Sequence, residues 1–313
     1  MESSDSKAAS VAPRVPVRSA LFVPGNRADL MSKAIRTQAD ALILDLEDSI
    51  PEAPRAKDDA LAILLDWLAS NGAQAPQLLT ARVNAVGEGR LEKELDALVG
   101  AGIGVIMLPK VSTPDEIVVV DRVLAYAEGR HCRSLGETAI WPIPETVEGI
   151  RRAHDIATAS SRIRYMGAGI SAAGDMAREL GCITTASGME SLYLRSKVLL
   201  EMRAAGIANP MTGVVAEVRD LAAVEEFATN SRHLGYEGMM VIHPSHVDPV
   251  NRVFSPSEAE IEEAEGLLRA LRDAESRGRA AVTFKGKMVD IAMKKTAEVL
   301  VQRHRAVTPS GSQ

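Results

Sequence analysis

Apolar positions along the chain follow two alternating patterns. Short, near-continuous runs of aliphatic residues occupy 18–23, 41–45, 79–83, 104–108, 139–143, 163–166, 212–215 and 239–242. Runs of that kind suit strands covered on both faces, as in a parallel sheet under helices. Between them lie amphipathic stretches at 29–37, 56–70, 90–100, 114–128, 153–159, 191–205 and 220–234. Thr113 followed by Pro114, Asp115 and Glu116 reads as a helix start, with proline at the first helical position. Eight strands alternating with helices over this length predict an α/β fold, a (β/α)8 TIM barrel. A doubly wound open sheet is the structural alternative, which periodicity alone does not exclude.

The rhythm changes after the eighth run. Ser255 or Ser257 caps a strong helix that reaches Arg277, Gly278 breaks it, and a stretch over 281–290 leads to a last helix ending near His304. The expected organisation is a disordered arm over 1–16, a catalytic barrel over 17–254, a C-terminal helical extension or lid over 255–305, and a disordered tail over 306–313. Residues 1–16 are small, polar and proline-containing, without the apolar stretch of a signal peptide. No apolar run approaches the length that spans a bilayer, so a cytoplasmic location is expected.

Composition narrows the chemistry. Aromatic residues make up 3% of the chain, so Ala, Leu, Ile, Val and Met must fill the core. A formal net charge of −6 argues against a nucleic-acid partner. Cys132 and Cys182 stand far apart and read as buried or incidental thiols, not as a disulfide framework. His243 and His246 are separated by a proline and a serine and lack an obvious third ligand, so a loop role is preferred to zinc. There is no Walker-type loop, and the segment from Gly167 to Ser171 lacks the spacing of a dinucleotide site.

In a barrel the C-terminal strand ends converge on one face, which holds the active site. Those ends here are Pro24-Gly25-Asn26-Arg27, Asp45-Leu46-Glu47-Asp48, Arg82 with Asn84, Pro109-Lys110, Pro144-Glu145-Thr146, Asp175 after a glycine-rich loop, and His243-Pro244-Ser245. Acids and bases gathered at one mouth leave costly buried charge unless they pair or bind an ion. Mg²⁺ takes oxygen ligands, typically one or two carboxylates plus waters, and leaves positions for substrate oxygens. Glu145 and Asp175 are therefore the candidate metal ligands, with Mn²⁺ as an alternative ion. Glu47 and Asp48 fit around them as groups that hold metal-bound water.

These residues resemble the citrate lyase β-subunit and malyl-CoA lyase superfamily, the HpcH/HpaI aldolase/citrate lyase group. The resemblance starts at Arg18-Ser19-Ala20-Leu21-Phe22-Val23-Pro24-Gly25 and Asp45-Leu46-Glu47-Asp48. It continues through Ala81-Arg82-Val83-Asn84, Met107-Leu108-Pro109-Lys110, Glu145-Thr146 and Gly174-Asp175. It ends with Gly235-Tyr236-Glu237-Gly238, Ile242-His243-Pro244-Ser245, Asn251, Phe254-Ser255-Pro256 and Lys285-Gly286-Lys287-Met288-Val289-Asp290. It implies Mg²⁺-dependent cleavage or formation of 3-hydroxyacyl thioesters, such as malyl-, methylmalyl-, citramalyl- or citryl-thioesters, carried by CoA or an acyl carrier protein. Glu145 and Asp175 match the family's metal carboxylates, Arg82 its substrate-carboxylate arginine, and Asp290 an acid/base aspartate reaching a neighbouring subunit's site. Arg18, Pro24, Gly25 and Lys110 join Arg82 as expected substrate contacts, with Glu47 and Asp48 counted among the catalytic groups. A homotrimer or hexamer with the lid exchanged follows by the same analogy.

Three departures bear on specificity. The stretch from Gly167 to Asp175 is longer than the family's usual link, proline precedes Glu145, and Asp58-Asp59 stands where an Ala-Arg pair is usual. A metal-dependent aldolase acting on free 2-oxo acids is the nearest rival reading. Thioester hydrolysis and a non-catalytic barrel are more distant ones.

Overall fold

The computed structural model describes residues 16–170, 174–183, 188–279 and 281–307, and for Asp175 the backbone alone. They fall into two compact units, one spanning Val17–Phe254 and the other starting at Ser255.

The first unit is a nearly closed parallel barrel. Its strands are β1 (Ser19–Pro24), β2 (Ala41–Asp45), β3 (Leu78–Arg82), β4 (Val105–Leu108), β5 (Ala139–Pro142), β6 (Met166–Gly167), β7 (Pro210–Thr212) and β8 (Gly238–Val241). The hydrogen-bonded order is β5-β4-β3-β2-β1-β8-β7-β6. Closure between the two end strands rests on the segment just before β6. The Ile140 N–H donates to the Arg162 carbonyl at 2.9 Å, and Ile140 bridges Ile163 in parallel. This is the barrel expected from the repeating pattern, and the open sheet is excluded.

Both faces of each strand are apolar because each faces a different core. Leu21, Val23, Leu42, Leu44, Ile106, Leu108 and Ile140 pack outward under the helices. Ala20, Ala41, Ile43, Val105, Met107, Ala139 and Trp141 fill the lumen, where Trp141 stacks on Tyr165 with ring centroids 5.2 Å apart. Side chains alternate along a strand. The lumen-facing series therefore continues at the C-terminal ends into Phe22, Asp45, Arg82, Met107, Glu145 and Met240. The mouth is polar where those last inward positions are polar.

Two strands are shifted from their expected positions. The sixth lies at Met166–Gly167, because Ile163 contributes only the bridge to Ile140. The seventh ends at Thr212, earlier than the apolar run 212–215 suggested. At Gly213 the chain passes so close to the sheet that a Cβ would lie 3.0 Å from the carbonyl oxygens of Ala168 and Ile170. Helix starts follow their local chemistry. Thr113 and Glu116 form a capping box before Pro114–Arg130, and Asp220 caps Leu221–Leu234. Short helices at Val147–Arg151, Asp175–Leu180 and Val247–Phe254 are too brief to show a helical period in sequence. Of the two cysteines, Cys132 is exposed and Cys182 intermediate, so neither is a buried thiol.

The second unit has its own small core of Ala264, Leu267, Leu271, Val289, Ala297 and Val301. Ser257 is the cap of Glu258–Glu275, with Glu260 closing the capping box. The stretch after Gly278 is an antiparallel hairpin, β9 (Val282–Phe284) with β10 (Lys287–Val289), turned by Lys285 and Gly286 at positive φ. The last helix, Ile291–Val307, continues past His304. No helix among the described residues is long and apolar enough to cross a membrane. The expected arm lies outside the described residues except for Pro16, as do 308–313 of the expected tail.

Gly238 opens β8 against the backbone of Val17, where a Cβ would overlap the Val17 carbonyl oxygen and lie 2.6 Å from the Met211 sulfur. Backbone cannot yield as a flexible side chain does. Gly238→Ala is expected to cost about 1–3 kcal/mol of stability, read as a lowered melting temperature. An unchanged melting temperature would contradict this packing.

Candidate active site

The sequence register of β2 and β3 decides the site's electrostatics. Asp45 and Arg82 are paired positions at the ends of these strands, and both face the lumen. The Arg82 Nε and Nη2 donate to the two Asp45 carboxylate oxygens at 2.6 and 2.7 Å. Its Nη1 reaches Glu47 at 2.8 Å and Asp48 at 3.4 Å. The guanidinium also lies over the Phe22 ring, 4.8 Å from its centroid. Asp45 serves the turn as well, accepting the N–H groups of Glu47 at 3.0 Å and Ser49 at 3.1 Å. One buried carboxylate thus fixes both the arginine and the acidic loop.

Lys110 completes the cluster from the end of β4. Its Nζ pairs with Glu47 at 2.6 Å and Asp48 at 3.2 Å. Lys110 has a φ of 53°, a left-handed conformation that costs a side-chain-bearing residue about 1–2 kcal/mol. From that position its backbone N–H donates to the Glu145 carboxylate at 3.0 Å while the ammonium faces Glu47.

Burial and pairing push these groups apart in pKa. Burial alone would raise Asp45, but the Arg82 guanidinium outweighs it and holds the carboxyl below the usual range. For Glu47, burial prevails over Arg82 and Lys110 and the carboxyl is raised. Arg82 and Lys110 are both raised, their carboxylate partners overcoming the effect of burial. Glu145 is raised to about 7, first by burial and then by the charge of Glu47.

Glu145 differs from the other acids in having no side-chain cation paired with it among the described residues. Gly169 passes directly over its side chain, so close that a Cβ there would lie 2.9 Å from Oε2. The carboxyl faces a cavity of about 540 Å³ at the C-terminal mouth, with Pro24, Asp45, Asp48, Arg82, Ile143 and Gly174 among its other linings. Arg82 and Lys110 are outnumbered by Asp45, Glu47, Asp48 and Glu145. A half-buried carboxylate with no paired cation among the described residues, on a wall with excess negative charge and beside open volume, fits a hard divalent cation.

The expected site residues divide clearly. The structure brings Glu47, Asp48, Arg82, Lys110 and Glu145 together, and Pro24 lines the same cavity. Gly25 serves the backbone: its N–H donates to the Asp45 carbonyl at 2.8 Å, where a side chain would not fit. Arg18 does not belong to the site. It precedes β1 at the opposite mouth, where its guanidinium binds Asp40 at 2.7 and 2.8 Å. Asp175 opens the helix Asp175–Leu180, next to the cavity-lining Gly174, but its side chain lies outside the described residues, as do 171–173 of the long loop. Asp290 is exposed in the second unit and accepts the Ala292 N–H at 3.0 Å. His243 and His246 have loop roles: His243 Nδ1 lies 2.8 Å from the Ser245 hydroxyl, and His246 Nε2 lies 3.2 Å from the Val218 carbonyl.

Sequence reasoning missed Asp45 as Arg82's main partner. The signal was present, because the strands end together and 41, 43 and 45 share a face, as do 78, 80 and 82. The arginine edge expected to clamp a substrate carboxylate is thereby committed to Asp45.

A carboxylate-rich mouth on a parallel eight-stranded barrel defines a candidate metal-assisted enzyme of the TIM-barrel class. The model of the HpcH/HpaI aldolase/citrate lyase family matches residues 18–244. The chain is 34% identical to the citrate lyase subunit beta-like protein of Deinococcus radiodurans, over 93% of this chain and 98% of that protein. It is 32% identical to the L-malyl-CoA/beta-methylmalyl-CoA lyase of Cereibacter sphaeroides, covering 95% and 97%. Among solved structures, CitE of Mycobacterium tuberculosis in complex with magnesium, acetoacetate and coenzyme A superposes with a TM-score of 0.73 at 27% identity, over 94% of this chain and 100% of that one. The chain belongs to the HpcH/HpaI aldolase/citrate lyase family, as its motifs suggested.

Glu145 gives the metal-free protein a specific pH dependence. Its folded pKa of about 7 stands above its ordinary value of 4.5, so folding favours the protonated form. The stability it contributes is present in full below about pH 4.5 and lost as pH rises through 7. Without divalent cations, Glu145→Gln should lessen the fall in melting temperature between pH 5 and pH 8. Parallel wild-type and variant curves would show that the carboxyl is not buried as described.

Proposed function

We propose that the protein is a Mg²⁺-dependent carbon–carbon lyase that cleaves, or in reverse forms, a 3-hydroxyacyl-CoA thioester. The observation that carries this reading is Glu145, a half-buried carboxylate without a paired cation among the described residues, beside an arginine and a lysine held by acids. The family and the relatives named above support the same chemistry. Glu145 and Asp175 would hold the cation, and Mn²⁺ would serve in its place. A bound ion there would supply Lewis-acid stabilisation to the carboxylate and hydroxyl oxygens of the substrate.

In the cleavage direction the bond between the carbinol carbon and the thioester α-carbon breaks. The hydroxyl proton passes to water in the open mouth, its bonding pair becomes the carbonyl of a 2-oxo acid, and the carbon–carbon pair passes to the α-carbon as a thioester enolate. That carbon then takes a proton to give the acyl thioester. Arg82 lines the mouth and sets a fixed positive charge against the substrate's carboxylate. Asp45, Glu47 and Asp48 keep that guanidinium and the Lys110 ammonium from collapsing onto Glu145. Asp290, delivered by the C-terminal lid of a neighbouring copy, would give the enolate carbon its proton. On this reading the protein works as a cytoplasmic homotrimer or hexamer.

Glu145→Ala and Asp175→Ala should each lower Mg²⁺-dependent turnover of malyl-, citramalyl- or citryl-CoA by on the order of 10³-fold or more. The far-ultraviolet dichroism should stay unchanged. Release of 2-oxo acid measures the reaction. Turnover that persists in both variants in the presence of EDTA would overturn the metal assignment. Release of free CoA without 2-oxo acid would make the enzyme a thioesterase instead.

A further inference from the structure

The cavity has two chemically distinct walls, and their positions in the barrel order separate them. The charged groups come from the ends of β2, β3 and β5, as Asp45, Asp48, Arg82 and Glu145. The opposite arc, from β7 and β8, contributes Val214, Met240 and Ile242 and no charged group, while the apolar Met107 and Ile143 stand among the charged groups on the first arc. Met107, Ile143 and Met240 are essentially buried, while Ile242 is 39% exposed. Among the described lining residues Arg82 is the sole cation, and its Nε–Nη2 edge is committed to Asp45. The long loop from Gly167 to Asp175 contains no lysine or arginine.

We propose that this two-walled cavity selects 3-hydroxyacyl thioesters whose carbinol carbon bears one carboxylate and a small alkyl group, and rejects those bearing a second carboxylate. The inference rests on the lyase reading and specifies its substrate class. One substrate carboxylate meets the charged wall, where a divalent ion on Glu145 and the positive face of Arg82 receive it. The remaining substituent then faces Val214, Met240 and Ile242. A methyl group gains burial there. A carboxymethyl group loses water there without meeting a cation among the described lining residues, and desolvating an unpaired charge is costly. The released 2-oxo acid is thus of the pyruvate type, not the oxaloacetate type.

The test uses the full-length protein with Mg²⁺. Initial rates of 2-oxo acid release are compared for citramalyl-CoA, with a methyl substituent, and citryl-CoA, with a carboxymethyl one. The kcat/KM ratio should favour citramalyl-CoA by at least about 100-fold. Free pyruvate should also inhibit more tightly than oxaloacetate, a comparison that needs no variant. Ile242→Arg, at a partly exposed position that tolerates charge, should shift the ratio toward citryl-CoA by at least about tenfold. Equal or better use of citryl-CoA by the wild type would overturn the selectivity and leave the lyase reading intact. Cleavage of neither thioester, with no inhibitory binding of either 2-oxo acid, would overturn the lyase reading and this inference with it.

Discussion

The ion pair between Asp45 and Arg82 is the constraint on which the rest of the mouth depends. A guanidinium that is nearly buried must be paired, because removing its partner leaves an uncompensated charge costing about 3–5 kcal/mol. Strand register supplies Asp45 opposite Arg82, and the turn after β2 supplies Glu47 and Asp48. Glu47 then draws in Lys110. Both basic side chains are occupied on the β2 side, and among the described residues Glu145, at the end of β5, keeps the Lys110 backbone N–H as its one hydrogen-bond partner. The uneven pairing leaves one half-buried acid in need of a counter-charge. A divalent ion meets that need better than a further lysine, since it also leaves coordination positions for substrate oxygens.

Much of this was legible in the sequence, for identifiable reasons. A doubly covered parallel strand has no polar face, so the eight apolar runs stood out wherever the strand was long enough. It failed at β6 and β7, where the ladder spans only two or three residues. There the close approach of Gly213 to neighbouring carbonyls ends the strand before the apolar run ends. Strand ends marked the mouth correctly, and Glu47, Asp48, Arg82, Lys110 and Glu145 meet there. Motif position alone misled at Arg18, which belongs to the same opening motif as Pro24 but lies before the strand begins and serves the opposite mouth. Asp45 was passed over because its neighbours Glu47 and Asp48 drew the functional reading. Counting lumen-facing positions along β2 and β3 would have paired it with Arg82.

The same alternation accounts for the cavity's two characters. Each strand presents its last inward residue to the mouth, and the charged ones among them, Asp45, Arg82 and Glu145, all fall on the arc from β2 to β5. A barrel can therefore change specificity by altering a few strand-end positions while its lumen packing stays untouched. Ala41, Ile43, Val105, Ala139 and Trp141 hold the lumen whatever stands at the exposed position 242, whereas Met240 and Val214 share in that packing. The C-terminal unit has a core of its own.

The most direct test of the central claim is a crystal structure of the full chain grown with Mn²⁺, with an anomalous difference map recorded at the manganese edge. The account predicts a peak within about 2.2 Å of a Glu145 carboxylate oxygen, with Arg82 still bound by Asp45 and Lys110 by Glu47. A peak remote from Glu145, or a Glu145 carboxylate turned onto Arg82 or Lys110 with no metal beside it, would contradict it.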